Sequence, residues 1–166
     1  YANLVLARGL ERFVEMLVEV GASGLIVPDL PLEEAPGTLQ ACDERGLALV
    51  PLVAPTTPDD RLQSIGVRAR GFLYTVSLTG TTGERAALAG GLPAVVARAS
   101  AHTEVPVAVG FGIATPEQAR AAAAAGADGV IVGTRLVRAA GESDDPAAVR
   151  QLVAAFAAAL RQGPNG

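Results

Sequence analysis

The sequence predicts an α/β fold in which parallel β-strands are joined by helices. Short apolar runs alternate with amphipathic helical segments along the whole chain. Each run is apolar throughout, as is typical of strands that are buried on both faces of a parallel sheet. The composition agrees, since 50% of the 166 residues are hydrophobic and 18% are charged. A sheet covered by helices has this profile, and a disordered chain does not.

The predicted strands are short and rich in Val, Leu and Ile. Five complete strands are expected at residues 24–27, 48–53, 71–76, 105–109 and 129–132. Residues 3–6 are interpreted as the frayed end of one more strand. Repeated βα units of this length require parallel strands with helical crossovers.

The first intervening segment shows the helical pattern clearly. Leu10, Phe13, Leu17 and Val20 share one face, and charged residues occupy the other. Gly21 then provides a C-terminal stop.

Three later helices have recognisable starts. Thr57-Pro58 and Thr115-Pro116 each place an N-cap hydroxyl before a Pro at the first helical position. Gln118 completes a capping box with Thr115. Asp145-Pro146 is expected to open the last helix.

Two architectures fit this alternation, an open doubly wound sheet and a closed barrel. Gly110-Phe111-Gly112 lacks the third Gly of a dinucleotide fingerprint, and no acidic residue completes a ribose site. The pattern therefore favours a (β/α)8 or TIM barrel, with residues 1–166 as a single domain.

Net charge and cysteine content limit the classes of protein to which the chain could belong. A net charge of -4 and the lack of Lys/Arg clusters argue against a nucleic-acid binder. No apolar run reaches the roughly 18 residues of a membrane span, and no signal peptide is visible. The single cysteine fits a reducing compartment, so a cytoplasmic location is expected.

Barrel enzymes place their sites in the loops after the strands. The loop from Ser77 to about Gly91 is longer than the roughly 2–6 residues of an ordinary βα loop. Its Gly and Thr residues suit a mobile lid, although a tolerated surface insertion would look the same.

Two glycine turns predict a phosphate site. Gly110 and Gly112 permit close backbone approach to an anion, and Gly133-Thr134 precedes an extra turn of helix at Arg135–Arg138. The two loops match the barrel phosphate site that follows strands seven and eight. Each turn alone is a weak signal, since a plain tight turn needs the same residues.

Other candidate residues are more ambiguous. Asp29 is either a catalytic acid/base or the cap of the next helix, which is the commoner outcome. Tyr74 could point into the barrel, where its hydroxyl needs a partner or a substrate. His102 is interpreted as a surface residue and Cys42 as an inert thiol.

Several motifs carry a family resemblance. They are Tyr-Ala-Asn-Leu-Val at the start, Leu-Ile-Val-Pro-Asp-Leu-Pro-Leu-Glu-Glu at 25–34, Ala-Pro-Thr-Thr at 54–57, Gly-Phe-Leu-Tyr at 71–74, Gly-Thr-Thr-Gly at 80–83, Gly-Phe-Gly-Ile at 110–113 and Gly-Val-Ile-Val-Gly-Thr at 129–134. In this order and spacing, they resemble the tryptophan synthase alpha chain family across essentially the whole chain. Other phosphate-binding barrels share only the last two glycine turns.

The resemblance implies a substrate and a set of site residues. The substrate would be indole-3-glycerol phosphate, cleaved by a retro-aldol reaction to indole and glyceraldehyde 3-phosphate without a cofactor or metal. Residues are carried over as phosphate ligands (Gly83, Gly112, Gly133 and Thr134), as indole-pocket residues (Ile26, Tyr74, Phe111 and Ile131) and as the lid hydroxyl (Thr82).

The resemblance also implies a partner. Asn3 and Asp29 correspond to residues that face a beta chain, which carries pyridoxal phosphate and forms a tetramer of two alpha and two beta chains.

Two carboxylates of the family are not matched in this sequence. The reaction needs an acid/base group near indole C3 and the glycerol hydroxyl, and a second carboxylate near the indole nitrogen. The family takes a Glu and an Asp from its second strand and the following loop. We expect the chain to be the C-terminal two-thirds of the barrel, lacking the first two βα units and most of the third, and inactive alone.

Two other functions remain open. The chain could be a non-catalytic phosphate-binding half-barrel that modulates a beta-like partner. Alternatively, it could belong to another sugar-phosphate barrel lyase or isomerase, which the glycine turns alone would permit.

Overall fold

The computed structural model describes residues 1–76, 85–110, 112–142 and 145–161. Strands and helices alternate along these residues, as the sequence predicts. The strands are β1 (Gly24–Ile26), β2 (Ala48–Val50), β3 (Leu52–Val53), β4 (Leu73–Val76), β5 (Val107–Gly110) and β6 (Gly129–Val130). The helices are α1 (Ala2–Arg8), α2 (Leu10–Glu19), α3 (Ala35–Asp43), α4 (Asp59–Arg68), α5 (Arg85–Ser100), α6 (Pro116–Ala124), α7 (Thr134–Glu142) and α8 (Pro146–Arg161).

All of the observed strand pairs are parallel, which confirms the α/β prediction. β1 pairs with β2, and β3, β4, β5 and β6 form a second sheet in that order. Neighbours in each sheet are also neighbours in sequence, without the order reversal of a doubly wound sheet. This strand order is that of a barrel wall.

The strand predicted at residues 48–53 is divided at Pro51. β2 pairs with β1, whereas β3 pairs with β4. Proline has no N–H to donate to a strand ladder, so a regular strand is interrupted there. Its carbonyl still accepts a hydrogen bond from the Tyr74 N–H at 3.0 Å. The chain therefore passes from one sheet to the other at Pro51.

The prediction of a strand end at residues 3–6 is wrong, since these residues belong to α1. A short apolar run does not by itself distinguish a strand from a helix. Val5 is buried, whereas Leu4 and Leu6 are 52% and 74% exposed. One face of the segment is thus covered, as in a surface helix.

Two details of the predicted helices also need correction. Thr57 does not cap α4, because that helix begins at Asp59 and the Thr57 hydroxyl accepts a hydrogen bond from the Ala54 N–H at 2.9 Å. Val20 lies beyond the end of α2 and is 78% exposed. The buried residue of that helix is Val14, which follows Leu10 by one turn.

The other helix signals are confirmed. Gly21 has φ 74° and ends α2. Thr115 and Gln118 form both hydrogen bonds of the capping box. Asp145 accepts the Ala147 N–H at 2.8 Å where α8 begins.

Each sheet has its own apolar core. The larger core lies between the β3–β6 sheet and its helices and includes Leu73, Val107 and Val109. The smaller one packs β1 and β2 against α2 and α3 and includes Val14 and Cys42. In the described ranges, no helix is both long enough and apolar enough to cross a membrane.

Candidate functional site

A cavity of about 420 Å³ lies where the chain leaves β4, β5 and β6. Its lining comes from β4, from the turns after β5 and β6, and from the first turns of α7. The lining residues are Tyr74, Gly112, Ile113, Ala114, Ile131, Gly133, Thr134, Arg135 and Arg138. The two glycine turns that the sequence singled out therefore share one cavity, together with Tyr74 and Ile131.

Tyr74 forms one wall of this cavity. It is 9% exposed and projects from the face of β4 opposite to Leu73 and Thr75. Burial raises the pKa of its phenol above the ordinary value. Its ring packs so closely on Gly110 of β5 that a Cβ at that glycine would overlap the ring. Glycine at 110 thus makes room for the aromatic ring at the cavity wall.

The glycine turns that line the cavity contain backbone amide groups that no described residue engages. Gly112 has φ 77°, in the left-handed region that favours glycine. The carbonyl of Gly133 accepts hydrogen bonds from the Leu136 and Val137 N–H groups, at 2.9 and 3.1 Å. Among the described residues, no hydrogen bond engages the N–H groups of Gly112, Gly133 or Thr134. These donors are therefore open to a ligand.

The cavity is positively charged. Arg135 and Arg138 of α7 line it, and none of its lining residues is acidic. The sequence predicts only an extra turn of helix at 135–138, and these two side chains were not among the predicted site residues. Arg135 and Arg138 are three positions apart in the helix that begins at Thr134. This spacing could have identified them, because residues three apart share a helix face.

The remaining predicted pocket residues are not all in this cavity. Ile26 lies on β1, in the two-stranded sheet, and is 40% exposed. It does not line the cavity beside Tyr74. Thr82, Gly83 and Phe111 lie outside the described residues, so their predicted roles stay predictions.

Asp29 and Asn3 lie near each other on the surface. Asp29 Oδ1 accepts the N–H of Ala2, the neighbour of Asn3, at 2.8 Å. Both Asp29 and Asn3 are exposed. The prediction that Asp29 caps the following helix is wrong, since the N-cap of α3 is Glu34. Asp29 instead bonds the first turn of α1, which precedes it by 27 positions.

Cys42 and His102, two weaker candidates, both lie away from the protein surface to some degree. Cys42 is fully buried, and burial raises the pKa of its thiol to about 11, which agrees with an inert group. His102 is half-buried, and its Nδ1 lies 2.9 Å from the carbonyl oxygen of Arg98.

A second cavity of about 570 Å³ lies between α3 and α4. Its walls are mostly apolar, and Arg61 at its rim forms a two-bond ion pair with Glu33, at 2.7 and 2.9 Å. It is larger than the cavity beside Tyr74 and extends from these helices to β2 and β3. Because none of the predicted site residues lines it, we place the candidate site at the smaller cavity.

Known proteins match this chain over most of its length. The family model described as tryptophan synthase alpha chain matches residues 1–163. The tryptophan synthase alpha chain of Gloeobacter violaceus is 53% identical over 138 residues, which cover 83% of this chain and 50% of that protein. That of Methanosarcina mazei is 46% identical over 163 residues, 98% of this chain and 58% of that protein. The chain thus spans half or somewhat more of the length of these relatives.

Solved structures agree in fold. The tryptophan synthase alpha chain of Legionella pneumophila superimposes with a TM-score of 0.86 at 35% identity, covering 100% of this chain and 62% of that one. A chain of tryptophan synthase from M. tuberculosis gives a TM-score of 0.81 at 37% identity, covering 96% and 59%.

These neighbours are TIM barrels, so the parallel strands described above follow part of a barrel wall. With a family match across 163 of its residues, the chain belongs to the tryptophan synthase alpha chain family.

Proposed function

We propose that this chain binds indole-3-glycerol phosphate as part of an enzyme that cleaves it to indole and glyceraldehyde 3-phosphate. The reaction is a carbon–carbon lyase step in tryptophan biosynthesis. The observation that carries the proposal is the convergence of Gly112, Gly133 and Thr134 on one cavity whose wall includes Tyr74 and Ile131. An anion site beside an apolar wall suits a substrate with a phosphate at one end and an indole at the other.

The phosphate would be held mainly by the backbone. The N–H groups of Gly133 and Thr134, at the start of α7, have no acceptor among the described residues, and the helix dipole favours a negative charge there. Gly112 would add an N–H from the neighbouring turn, and Thr134 would add a hydroxyl. Gly83 is a fourth phosphate ligand on the strength of the family resemblance.

The indole would occupy the apolar side of the cavity. Tyr74 and Ile131 provide two parts of this wall. The family resemblance adds Phe111 and Ile26 to the pocket, and Thr82 as the hydroxyl of a closing loop. We propose these three roles from the resemblance alone.

Proton transfer requires groups other than those that line this cavity. The retro-aldol step needs a carboxylate that protonates indole C3 and accepts the glycerol hydroxyl proton. None of the described lining residues is an Asp or a Glu. We propose that the 166 residues bind the substrate without cleaving it, and that catalysis uses the Glu and Asp that the family carries on its second strand and the next loop.

The partner would be a tryptophan synthase beta chain. The family relationship suggests this association, and the proposed assembly contains two alpha and two beta chains. Pyridoxal phosphate would be bound by the beta chain, and no cofactor or metal is proposed for this chain. The exposed Asn3 and Asp29, close together on the surface, are proposed to face that partner.

Gly133→Ala tests the phosphate site. A Cβ at Gly133 meets nothing within 4 Å, so the methyl group would not disturb the protein's own packing. It would instead project near the open amide groups and weaken glycerol 3-phosphate binding about tenfold, which corresponds to the loss of one charge-assisted hydrogen bond.

Gly141→Ala is the matched control, because Gly141 is also on α7, is also unobstructed and does not line the cavity. Titration calorimetry would compare the two variants with the parent. Equal affinities for all three proteins would contradict the phosphate site.

The lyase proposal has its own assay. Indole release from indole-3-glycerol phosphate would be followed for this chain alone and for a chain that also carries the family's two carboxylates. We expect release only from the latter. Indole release by the 166 residues alone would refute their proposed inactivity, and no release by either chain would refute the lyase function.

A further inference from the structure

Two arginines of α7 line the cavity, and neither forms an ion pair with a described residue, including Glu142 one turn after Arg138. Arg135 and Arg138 are three residues apart, so their side chains share one face of the helix and lie within about 5–6 Å of each other at Cβ. Arg135 is half-buried and Arg138 is exposed. Like charges at this spacing repel each other, which favours a counter-ion between them.

The rest of the described protein does not provide that counter-ion. The ion pairs among the described residues involve other arginines, namely Arg45, Arg61, Arg70 and Arg98. Neither Arg135 nor Arg138 has an ion pair or side-chain hydrogen bond with any described residue. Four other arginines are thus bound to carboxylates, whereas these two are directed to a cavity.

The charge of the cavity is opposite to that of the whole chain. The lining contains two guanidinium groups and no carboxylate, whereas the chain has a net charge of -4. An unneutralised pair of cations in a concave site attracts anions more strongly than the same charges on a flat surface.

We infer that Arg135 and Arg138 are anion-binding side chains that make the cavity selective for a dianionic phosphate monoester. The inference rests on the proposed function and extends it, since the backbone site alone would hold the phosphate with neutral amide donors. Guanidinium groups add charge and a two-pronged donor geometry that fits phosphate oxygens. Arg135, which is nearer to the start of α7 and less exposed, contributes the larger share.

This charge has a consequence for pH and salt dependence. A phosphate monoester loses its second proton near pH 6, so the arginines favour binding above that pH. Backbone amides discriminate less between the monoanion and the dianion. Binding to the parent protein therefore weakens as pH falls through about 6 and as salt rises, and both dependences are shallower without the arginines.

The test is calorimetric titration of the chain with glycerol 3-phosphate and with inorganic phosphate. Arg135→Ala is expected to weaken binding about tenfold or more, and Arg138→Ala several-fold. Arg135→Lys keeps the charge but not the two-pronged donor geometry, and it is expected to recover part of the lost affinity. Arg150→Ala is the matched control, since Arg150 is an exposed arginine of α8 that does not line the cavity.

The outcomes separate this inference from the proposed phosphate site. If the parent binds phosphate and both alanine variants bind it equally well with the same pH and salt profiles, the arginine inference is overturned and the backbone site stands. If the parent binds neither ligand, both are overturned. Circular dichroism verifies folding, and Arg135→Lys still tests the two-pronged donor geometry if Arg135→Ala does not fold.

Discussion

The ring of Tyr74 lies directly over Gly110 of the neighbouring strand, which leaves no space for a side chain at position 110. The Tyr74 backbone is in register with Ala108, two residues earlier on β5. The ring therefore leans along the sheet toward the carboxyl end of β5, where the cavity begins. Glycine at position 110 therefore allows the Tyr74 ring to form the wall of the candidate site.

Gly110→Ala should displace the Tyr74 ring. The added methyl overlaps the ring, so we expect a loss of about 1–3 kcal/mol in the free energy of unfolding, as for other overpacked cores. The near-UV circular dichroism of tyrosine should also fall, since the chain has two Tyr and no Trp and Tyr1 is 72% exposed.

A double-mutant cycle with Tyr74→Ala tests the cause of that loss. Once the ring is removed, Gly110→Ala should cost much less than it does in the parent protein. Additive effects of the two substitutions would show that the ring is not what the methyl group meets.

Thr75→Val is expected to stabilise the protein. Thr75 is fully buried beside Tyr74, and its hydroxyl has no hydrogen-bond partner among the described residues. Valine has nearly the same shape without the polar atom, so urea denaturation should show a gain of about 1 kcal/mol. Thr75→Ala is the comparison, because it also removes a methyl group and leaves a cavity. A lower stability for Thr75→Val would show that the hydroxyl is hydrogen-bonded.

Cys42 should make the free energy of unfolding decrease as pH rises in the alkaline range. The thiol is fully buried, and burial raises its pKa from 9.0 to about 11. Between these values the unfolded chain loses the proton and the folded chain keeps it, so the folded state loses relative stability as pH rises. The contribution of the protonated thiol to the free energy of unfolding is fully present below pH 9. About 2–3 kcal/mol of it is expected to be lost by pH 11.

Chemical denaturation of the parent and of Cys42→Ala across pH 8 to 11 measures this effect. The alanine variant should show a shallower decline over the same range. Parallel curves for the two proteins would mean that Cys42 does not cause the decline.

Asp29→Ala should loosen α1 selectively. Its carboxylate accepts the Ala2 N–H, one of the donors that a helix leaves unpaired in its first turn. Amide hydrogen exchange in α1 should therefore accelerate, while exchange in α8 should stay unchanged. Asp29→Asn keeps an acceptor oxygen and should give an intermediate rate. Unchanged exchange in α1 for Asp29→Ala would show that the bond is not formed in solution.

The repeating units of the fold were predictable from the sequence because their signals are local. The strands after Gly21 were placed within a few residues, since their apolar runs are bounded by turn residues. Thr115 and Gln118 identified a helix start, because a capping box involves neighbours only three positions apart. Gly112 and Gly133 marked the candidate site, because their positions directly after strands place them at one end of a parallel sheet.

The errors occurred where distant contacts decide between local alternatives. Residues 3–6 have an apolar pattern that fits a strand or a helix, and the bond from Ala2 to Asp29 adds to the helical state from 27 positions away. Pro51 showed its missing N–H in the sequence, but only the pairing of β2 with β1 and β3 with β4 decided where the sheet divides.

Local sequence signals were therefore enough to predict the alternation of strands and helices, the capping box at Thr115 and the two glycine turns. The packing of Tyr74 on Gly110, and the position of Arg135 and Arg138 in the same cavity as Gly112, became visible only in the folded chain. The physical reason is that periodicity and capping depend on residues within one or two turns of the chain. A cavity, in contrast, depends on which strands pair and which helix face is left uncovered.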